Sequence, residues 1–355
     1  MAAPGTLPPT MQACVRTHRG PASSSLKLVA NVLTPSDPTG TTSSDVLIRV
    51  SHVALQFNSE IFLKAVPSFP IISSNDWIPE LELSGEVVGA GSGAPPEVRD
   101  IGTHVVAFQS ILAMALGNGV LAEYVRMPGS QVAPLQPSVD LAQASGVIGA
   151  GCTALKLLRK SGIQPSQRVL INGASGSVGS VLVQLCKLRD VYVVGIASGG
   201  NEAMVRGFGA DEFVDYKAHP GSLSKFLKDQ YGNTPFDFVM DCVGTQDLFV
   251  GSPGYLKADG ALLNIGAVDG FVASVWNLLS NMLLPAWLGG VPRRYIFFSS
   301  PPLRDDAVYL AQLLGEGKLT VPVDSVFDMK NLLAPYERIS TKRARGKVVI
   351  KVRRD

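Results

Sequence analysis

Residues 168–179 constrain the fold of this chain more than any other segment, and their sequence is Arg-Val-Leu-Ile-Asn-Gly-Ala-Ser-Gly-Ser-Val-Gly. Residues 169–171 form a short apolar, β-branched run, which is typical of a buried parallel strand. Three glycines follow at three-residue spacing, and apolar residues then recur at helical spacing, at Val178, Val181, Leu182, Leu185 and Leu188. A strand, a glycine turn and a helix N-terminus together form a pyrophosphate site, because bare backbone and unpaired N–H groups meet the phosphates there. A tight turn without a ligand is the alternative, and the flanking strand and helix favour the site.

Composition narrows the class of protein. A chain of 355 residues is long enough for two domains. The net charge of +2 provides no electrostatic argument for nucleic-acid binding. The four cysteines stand far apart and form no CxxC pair, which argues against a disulfide framework and a zinc knuckle. These cysteines are Cys14, Cys152, Cys186 and Cys242. We therefore expect the protein to reside in a reducing compartment, the cytoplasm.

The N-terminus allows two interpretations. The first 36 residues contain no acid, which is typical of a transit peptide. Residues 11–17 are better explained as a first strand, however, so that only residues 1–10 form a disordered tail. We therefore expect no targeting signal.

Two domains follow from the pattern of elements. Short strands and glycine or proline turns between residues 11 and 148 predict a partly open β-barrel; its clearest strands are 46–53, 83–91, 103–108 and 121–126. Strands and helices alternate from 149 to 301, which predicts an α/β domain with a doubly wound parallel sheet. Residues 142–161 read as a helical run interrupted by Gly149 and Gly151. Residues 302–355 contain strands 321–326 and 347–352, and we assign them to the first domain.

Residues 271–290 are apolar but broken by Asn277, Asn281 and Pro285, so they do not predict a membrane-spanning helix. Their amphipathic pattern favours a helix packed over the cleft between the domains. An interfacial patch that contacts lipid or an apolar substrate, and hence peripheral membrane contact, is the alternative.

The end of the second strand indicates which dinucleotide binds. An acid there would hold the ribose 2′-hydroxyl of NAD. This strand runs into Ser198, and the next acid is Glu202. The missing acid favours NADP, with Ser198, Asn201 and Lys217 as candidate contacts to its 2′-phosphate. An NAD site with loose discrimination is the alternative.

The ordered series of motifs resembles the medium-chain dehydrogenase/reductase superfamily, in its zinc-free quinone oxidoreductase (zeta-crystallin-like) branch. The resemblance covers residues 11–355 and rests on segments 55–60, 82–91, 102–108, 119–124, 153–155, 172–179, 209–216 and 346–347. It implies a GroES-like β domain and a Rossmann domain.

The resemblance also implies positions for cofactor-binding residues. Asn58 is placed near the nicotinamide with Phe57 beside it, and Thr153 near the adjacent phosphate or ribose. The pyrophosphate contacts are Gly173, Ser175, Gly176, Ser177, Val178 and Gly179, and Tyr216 lies at the adenosine end. Cys242, Val243, Gly266, Ala267 and Val268 follow the fourth and fifth strands, and Phe297, Phe298 and Lys347 close over the cofactor. The alternatives are that Asn58 only stabilises a turn and that Cys242 only packs as a small apolar side chain.

A catalytic metal is not expected. Zinc-dependent relatives carry a Cys near Phe57 and a Gly-His-Glu where Leu81 and Glu82 stand, whereas no cysteine lies between Cys14 and Cys152 here. Without a Lewis acid, hydride delivery to an electron-poor quinone or α,β-unsaturated carbonyl is favoured. His18, His52, His104 and His219 read as structural or solvated.

The proton donor cannot be assigned. Related enoyl reductases use a Tyr shortly after the Asn segment, but residues 61–67 contain none, and Tyr124 reads as a core strand residue. We predict an NADPH-dependent reductase whose hydrophobic quinone or enone contacts Phe57, Asn58, Leu284, Trp287 and Phe298. A homodimer is expected through strand 295–298. A catalytically weak NADPH-binding or membrane-associated adaptor, or a biosynthetic enzyme performing a non-redox step, are the alternatives.

Overall fold

A computed structural model describes residues 7–66, 77–219, 221–266, 271–298 and 301–353, without the side chains of 271–274. Its strands are β1 (Thr10–Arg16), β2 (Leu26–Leu33), β3 (Asp45–Ala54), β4 (Glu82–Ala90), β5 (His104–Phe108), β6 (Tyr124–Pro128), β7 (Val132–Pro134), β8 (Arg168–Asn172), β9 (Tyr192–Ala197), β10 (Glu212–Asp215), β11 (Phe236–Asp241), β12 (Leu256–Asn264), β13 (Arg294–Phe297), β14 (Val323–Asp328) and β15 (Lys347–Lys351). Its α-helices are α1 (Ala22–Ser25), α2 (Ser59–Ala65), α3 (Ile111–Ala115), α4 (Leu141–Ala144), α5 (Val147–Ser161), α6 (Ser177–Lys187), α7 (Glu202–Gly207), α8 (Leu223–Tyr231), α9 (Gln246–Gly251), α10 (Phe271–Leu283), α11 (Arg304–Gly315) and α12 (Leu333–Ser340). Within these ranges, no helix has the length and apolarity needed to cross a bilayer.

The chain divides into two compact units, Met1–Cys152 with Pro301–Asp355, and Thr153–Ser300. The first division falls inside α5, later than the boundary expected after residue 148. Strand β1 begins at Thr10, so the tail predicted over 1–10 extends no further than Pro9, and residues 1–6 lie outside the described residues.

The unit Thr153–Ser300 contains the predicted doubly wound sheet. Its six strands are all parallel and follow the order β10-β9-β8-β11-β12-β13. Val169, Leu170 and Ile171 of β8 are fully buried at its centre, as a continuous apolar run in a parallel sheet requires. This strand order is that of a Rossmann fold, and the prediction is confirmed.

The other unit contains a mixed sheet of seven strands. Its order is β14-β15-β3-β4-β5-β7, and β6 also pairs with β3. Strands β14 and β15 are parallel, while the other pairs in this sheet are antiparallel. Because β15 pairs with β3, the C-terminal strands complete the sheet that the N-terminal segment begins.

The helical run predicted over 142–161 is interrupted at a different place. It breaks between α4 and α5, at Ser145 and Gly146, and α5 runs through both internal glycines. A Cβ at Gly151 would lie 2.6 Å from Leu310 Cδ1, and one at Gly149 would lie 3.0 Å from Glu82 Oε2. These glycines therefore allow close packing against the helix rather than ending it.

Glu80 is a buried carboxyl in a backbone conformation that is rare for side-chain-bearing residues, with φ of 71°. Ser59 Oγ donates to its Oε2 at 2.7 Å, and the Tyr336 hydroxyl donates to its Oε1 at 2.8 Å. Burial raises the pKa of Glu80 to about 7, although these hydrogen bonds oppose the shift. The carboxyl therefore binds its proton more tightly in the folded protein than in the unfolded chain.

This shift predicts the pH dependence of stability. The free energy of unfolding should fall as pH rises from about 4.5 toward about 7, because the folded state holds the Glu80 proton longer. In the unmodified chain this loss should reach on the order of 3 kcal/mol at about pH 8. Glu80→Gln stays neutral at every pH, so the variant should not show the loss. Urea unfolding at about pH 5 and about pH 8 measures it, with exposed Glu202→Gln as the control. An equal pH dependence in Glu80→Gln and the unmodified chain would contradict the assignment.

Candidate functional site

The candidate site lies at the carboxyl edge of the parallel sheet. The last residues of β8 to β13 meet along this edge and are Asn172, Ala197, Asp215, Asp241, Asn264 and Phe297. In open α/β sheets, ligands bind outside the carboxyl ends of the strands, where the strand order reverses. Here the reversal lies between β8 and β11, because β8, β9 and β10 follow one another in one direction and β11, β12 and β13 in the other.

The glycine turn after β8 has the geometry expected of a phosphate cradle. Gly173 has φ of 78°, and a Cβ there would lie 2.9 Å from Val243 Cγ2. A Cβ at Gly179 would collide with the Gly173 carbonyl oxygen, so this approach requires glycine. Gly176 is the N-cap of α6 and supplies no side-chain acceptor. The first-turn amides of α6 have no intrahelical carbonyl, so they can bind an anion.

Asp241 holds the neighbouring turn in place. Its Oδ1 accepts from the amides of Val243 at 2.9 Å and Gly244 at 2.8 Å, and its Oδ2 accepts from Thr245 at 3.1 Å. Asn172 Nδ2 donates to the same carboxylate at 2.8 Å, which ties β8 to β11. Burial raises the pKa of Asp241, while these hydrogen bonds oppose the rise. Burial also raises the pKa of the Cys242 thiol, so that the thiol stays protonated at neutral pH.

Three of the predicted contacts come together at the end of β9. Asn201 Nδ2 donates to Ser175 Oγ and to Ser198 Oγ, each at 3.0 Å. This amide therefore joins the glycine turn to the loop after the second strand. The side chain is buried, and its Oδ1 has no hydrogen-bond partner among the described residues.

Sequence reasoning missed an acid at this position. A Cβ at Gly199 would lie 2.5 Å from Asp215 Oδ2, so this carboxylate stands beside the loop after β9. Asp215 Oδ1 accepts from the Lys217 amide at 2.9 Å, and the Tyr216 and Lys217 side chains are exposed. The acid comes from the third strand, which pairs with β9 in parallel. The Rossmann strand order was the signal that could have located it.

The predicted residues of the other unit have mixed surroundings. Asn58 occupies the N-cap position of α2 without a side-chain cap hydrogen bond, and Phe57 is 67% exposed. Lys347 is buried, and its Nζ lies 3.0 Å from Glu82 Oε2. The same carboxylate accepts from Gln56 Nε2 at 2.7 Å and the Gly149 amide at 2.9 Å. The Lys347 ammonium thus has an internal partner, and its predicted closure over a cofactor stays a prediction.

The other predicted contacts lie in the Rossmann unit. Thr153 is half-buried in α5, and Ser177 and Val178 lie partly exposed in the first turn of α6. The Gly266 amide donates to Asn264 Oδ1 at 2.8 Å. Ala267 and Val268 lie outside the described residues.

A cavity of about 290 Å³ lies beside the turn that contains Gly266. Phe297 lines it, whereas Phe298, one of the expected substrate contacts, is half-buried after β13. Leu284 and Trp287 are not among its lining residues and are 42% and 81% exposed. The lining residues are Asp241, Gly244, Thr245, Gln246, Phe249, Leu262, Asn264, Gly266, Val275, Asn277, Leu278, Tyr295 and Phe297.

The described ranges offer few groups that could bind a metal. No cluster of three or more His, Cys, Asp or Glu side chains in this part of the chain could hold a metal ion. Together, the strand order, the glycine turn and the α6 N-terminus define a dinucleotide-binding protein.

Comparison with known proteins specifies the family. A family model described as zinc-binding dehydrogenase matches residues 208–350. The chain is 43% identical over 365 residues to the medium chain reductase pydE of Acremonium sp, covering 97% of this chain and 99% of that protein. It is 31% identical over 348 residues to the trans-enoyl reductase poxH of Penicillium oxalicum, with 88% and 90% covered. The solved quinone oxidoreductase from Coxiella burnetii has the same fold, with a TM-score of 0.77, 24% identity and coverage of 97% and 99%.

The chain therefore belongs to the medium-chain dehydrogenase/reductase superfamily. It is an NAD(P)-dependent oxidoreductase, and the resemblance deduced from its motifs is confirmed.

The geometry of the glycine turn predicts how an added methyl group at Gly176 changes NADPH binding. Gly176 has φ of −78°, which alanine adopts freely, and its Cβ would lie 3.3 Å from the Gly173 carbonyl oxygen. Gly176→Ala should fold normally but bind NADPH about tenfold more weakly, a loss of about 1.4 kcal/mol, because a pyrophosphate must approach this backbone closely.

Cofactor fluorescence titration and thermal unfolding measure the two effects. Gly207→Ala is the matched control, since a Cβ there meets nothing within 4 Å. Unchanged NADPH affinity in a folded Gly176→Ala protein would show that the cradle is not where the pyrophosphate binds.

Proposed function

We propose that this protein is an NADPH-dependent reductase that transfers hydride to a hydrophobic α,β-unsaturated carbonyl or quinone without a metal. The glycine turn carries the proposal, because its bare backbone and the α6 N-terminus fit a dinucleotide pyrophosphate. The relatives pydE and poxH, which are named as reductases, support the reaction class.

When bound, NADPH supplies the hydride, which carries the electron pair to an electron-poor carbon of the acceptor. For an enone, the C=C π bond breaks, a C–H bond forms at the β-carbon, and the resulting enolate takes a proton from water. No side chain is assigned as general acid, and Tyr124 lies half-buried at the start of β6.

The residues of the chain bind the cofactor and orient it. The amides of Ser177, Val178 and Gly179 in the first turn of α6 hold the pyrophosphate. Asp241 fixes the turn that contains Cys242 and Val243 through three backbone hydrogen bonds. Orientation of this kind supplies much of the rate in hydride transfer, because it removes the entropy cost of bringing reactants together.

The choice of NADPH over NADH rests on charges near the end of β9. The Ser198 hydroxyl and the exposed Lys217 ammonium favour a 2′-phosphate, whereas Asp215 opposes it. We therefore propose NADPH as the preferred cofactor, with NADH accepted less efficiently.

Asp215→Asn tests this balance of charges. It removes a negative charge and keeps an oxygen that can accept from the Lys217 amide. The ratio of kcat/KM for NADPH to that for NADH should rise several-fold, and Lys217→Met should lower it. Exposed Asp229→Asn in α8 is the control. A ratio unchanged in both variants would place the 2′-phosphate elsewhere.

Turnover tests the function as a whole. Purified protein should enhance NADPH fluorescence on binding and then oxidise NADPH, followed by absorbance, with members of a quinone and enone panel. Binding without turnover on any acceptor would favour an NADPH-binding adaptor and contradict the reductase. Absence of binding would favour a non-redox enzyme and contradict it as well.

The remaining expectations stay predictions. Strand β13 pairs with β12 alone among the described strands, so one of its edges is available for the expected homodimer. Peripheral membrane contact through 271–290 and a cytoplasmic location are likewise predictions.

A further inference from the structure

The cavity beside the Gly266 turn lies entirely within the Rossmann unit. Its apolar lining includes Phe249 of α9, Leu262 of β12 and Tyr295 of β13, together with Val275 and Leu278 of α10. Its remaining lining includes Gly244, Thr245 and Gly266, in the turns after β11 and β12. A Cβ at Gly266 would collide with the Val243 carbonyl carbon and oxygen, so these two turns approach each other closely.

Three polar side chains of this cavity, those of Asp241, Gln246 and Asn264, have hydrogen-bond partners inside the protein. Asn264 Nδ2 donates to the Gly266 carbonyl at 3.1 Å, and lies 2.8 Å from the Tyr295 hydroxyl oxygen. The Gln246 side-chain amide exchanges two hydrogen bonds with Asn281, at 2.7 and 2.9 Å. The Asp241 carboxylate accepts from three backbone amides and from Asn172.

Because these side chains already form internal hydrogen bonds, they offer few further hydrogen bonds to a ligand. A polar ligand group would lose its hydration there without full compensation, whereas an apolar group loses nothing. The aliphatic and aromatic faces of Leu262, Leu278 and Phe297 offer contact to such a group. The chemistry of the lining thus favours hydrocarbon.

The size of the cavity limits what enters. A volume of about 290 Å³ lies at the lower end of the range for small-molecule pockets, which runs from about 300 to about 1,000 Å³. It suits one apolar segment of a ligand, such as an alkyl chain or a ring. The turns after β11 and β12, which contain predicted cofactor contacts, border this space.

We propose that this cavity binds the apolar chain attached to the reacting double bond of the acceptor and makes the enzyme selective for long-chain substrates. The inference rests on the proposed reductase function and names the part of the acceptor that the cavity binds. Leu278, half-buried in α10, then determines how much chain the cavity admits.

A homologous series of straight-chain 2-enones tests the inference in the full-length protein with saturating NADPH. In the unmodified chain, kcat/KM should rise about fourfold for each methylene that enters the cavity. Leu278→Trp fills the cavity and should lower kcat/KM for the long enones by tenfold or more, thereby flattening the dependence on chain length. Val275→Phe, at a position 40% exposed, should act in the same direction if Leu278→Trp does not fold.

Leu283→Trp is the matched control, because the same replacement on the same helix falls at a position 73% exposed and outside the cavity. It should keep the rise with chain length. A readout without turnover is calorimetric binding of a long-chain saturated ketone to the protein, which Leu278→Trp should weaken and Leu283→Trp should not.

The two failures are distinguishable. NADPH oxidation with no member of the series or of the quinone panel overturns the proposed function. Turnover with the same kcat/KM at every chain length, or an equal loss for all chain lengths in folded Leu278→Trp, overturns the cavity assignment and leaves the reductase standing.

Discussion

The contact between the Gly173 carbonyl oxygen and the backbone of Gly179 is the constraint on which the cofactor-binding edge depends. Any side chain at Gly179 would occupy the position of that oxygen, so the short connection from β8 to α6 requires a glycine there. The same approach brings the first turn of α6 to the carboxyl edge of the sheet. Because Val169, Leu170 and Ile171 of β8 are fully buried at the centre of that sheet, the α6 N-terminus follows directly from a closely packed strand.

Polar residues at the strand ends have mainly structural roles. Asp241 organises the turn after β11, Asn264 organises the turn after β12, and Asn201 joins the glycine turn to the loop after β9. Side chains thus form hydrogen bonds with the backbone of the loops around the site, while the backbone of the glycine turn is proposed to bind the pyrophosphate. A largely apolar cavity can lie beside such an edge at little cost, since Asp241, Gln246 and Asn264 are already paired.

Local patterns predicted the parts of the fold that local forces determine. The apolar strands and the glycine turn of the Rossmann unit were predictable because each is buried and periodic. Strand β2, which pairs with β1 alone, was missed because most of its side chains are exposed or half-buried and it has no regular apolar alternation. Helix α12 was missed because Pro335 reads as a break, although proline is tolerated in the first turn of a helix.

Features created by the packing of distant segments were less predictable. Asp215 reaches the end of β9 only because the third strand pairs there, so a search along the second strand did not find it. Gly149 and Gly151 read as helix breakers, and their close neighbours Glu82 and Leu310 are far away in sequence. Trp287 was predicted to contact the acceptor because its segment is apolar; it is 81% exposed, and that contact stays a prediction.

In the proposed reaction, hydride passes from a nicotinamide held at this edge to a carbon of the acceptor. Turnover of an enone with NADPH deuterated at C4, prepared separately on each face, measures this transfer directly by mass spectrometry of the product. The account predicts that one of the two labelled forms delivers deuterium to the carbon β to the carbonyl. A saturated product that carries no label from either form would contradict it.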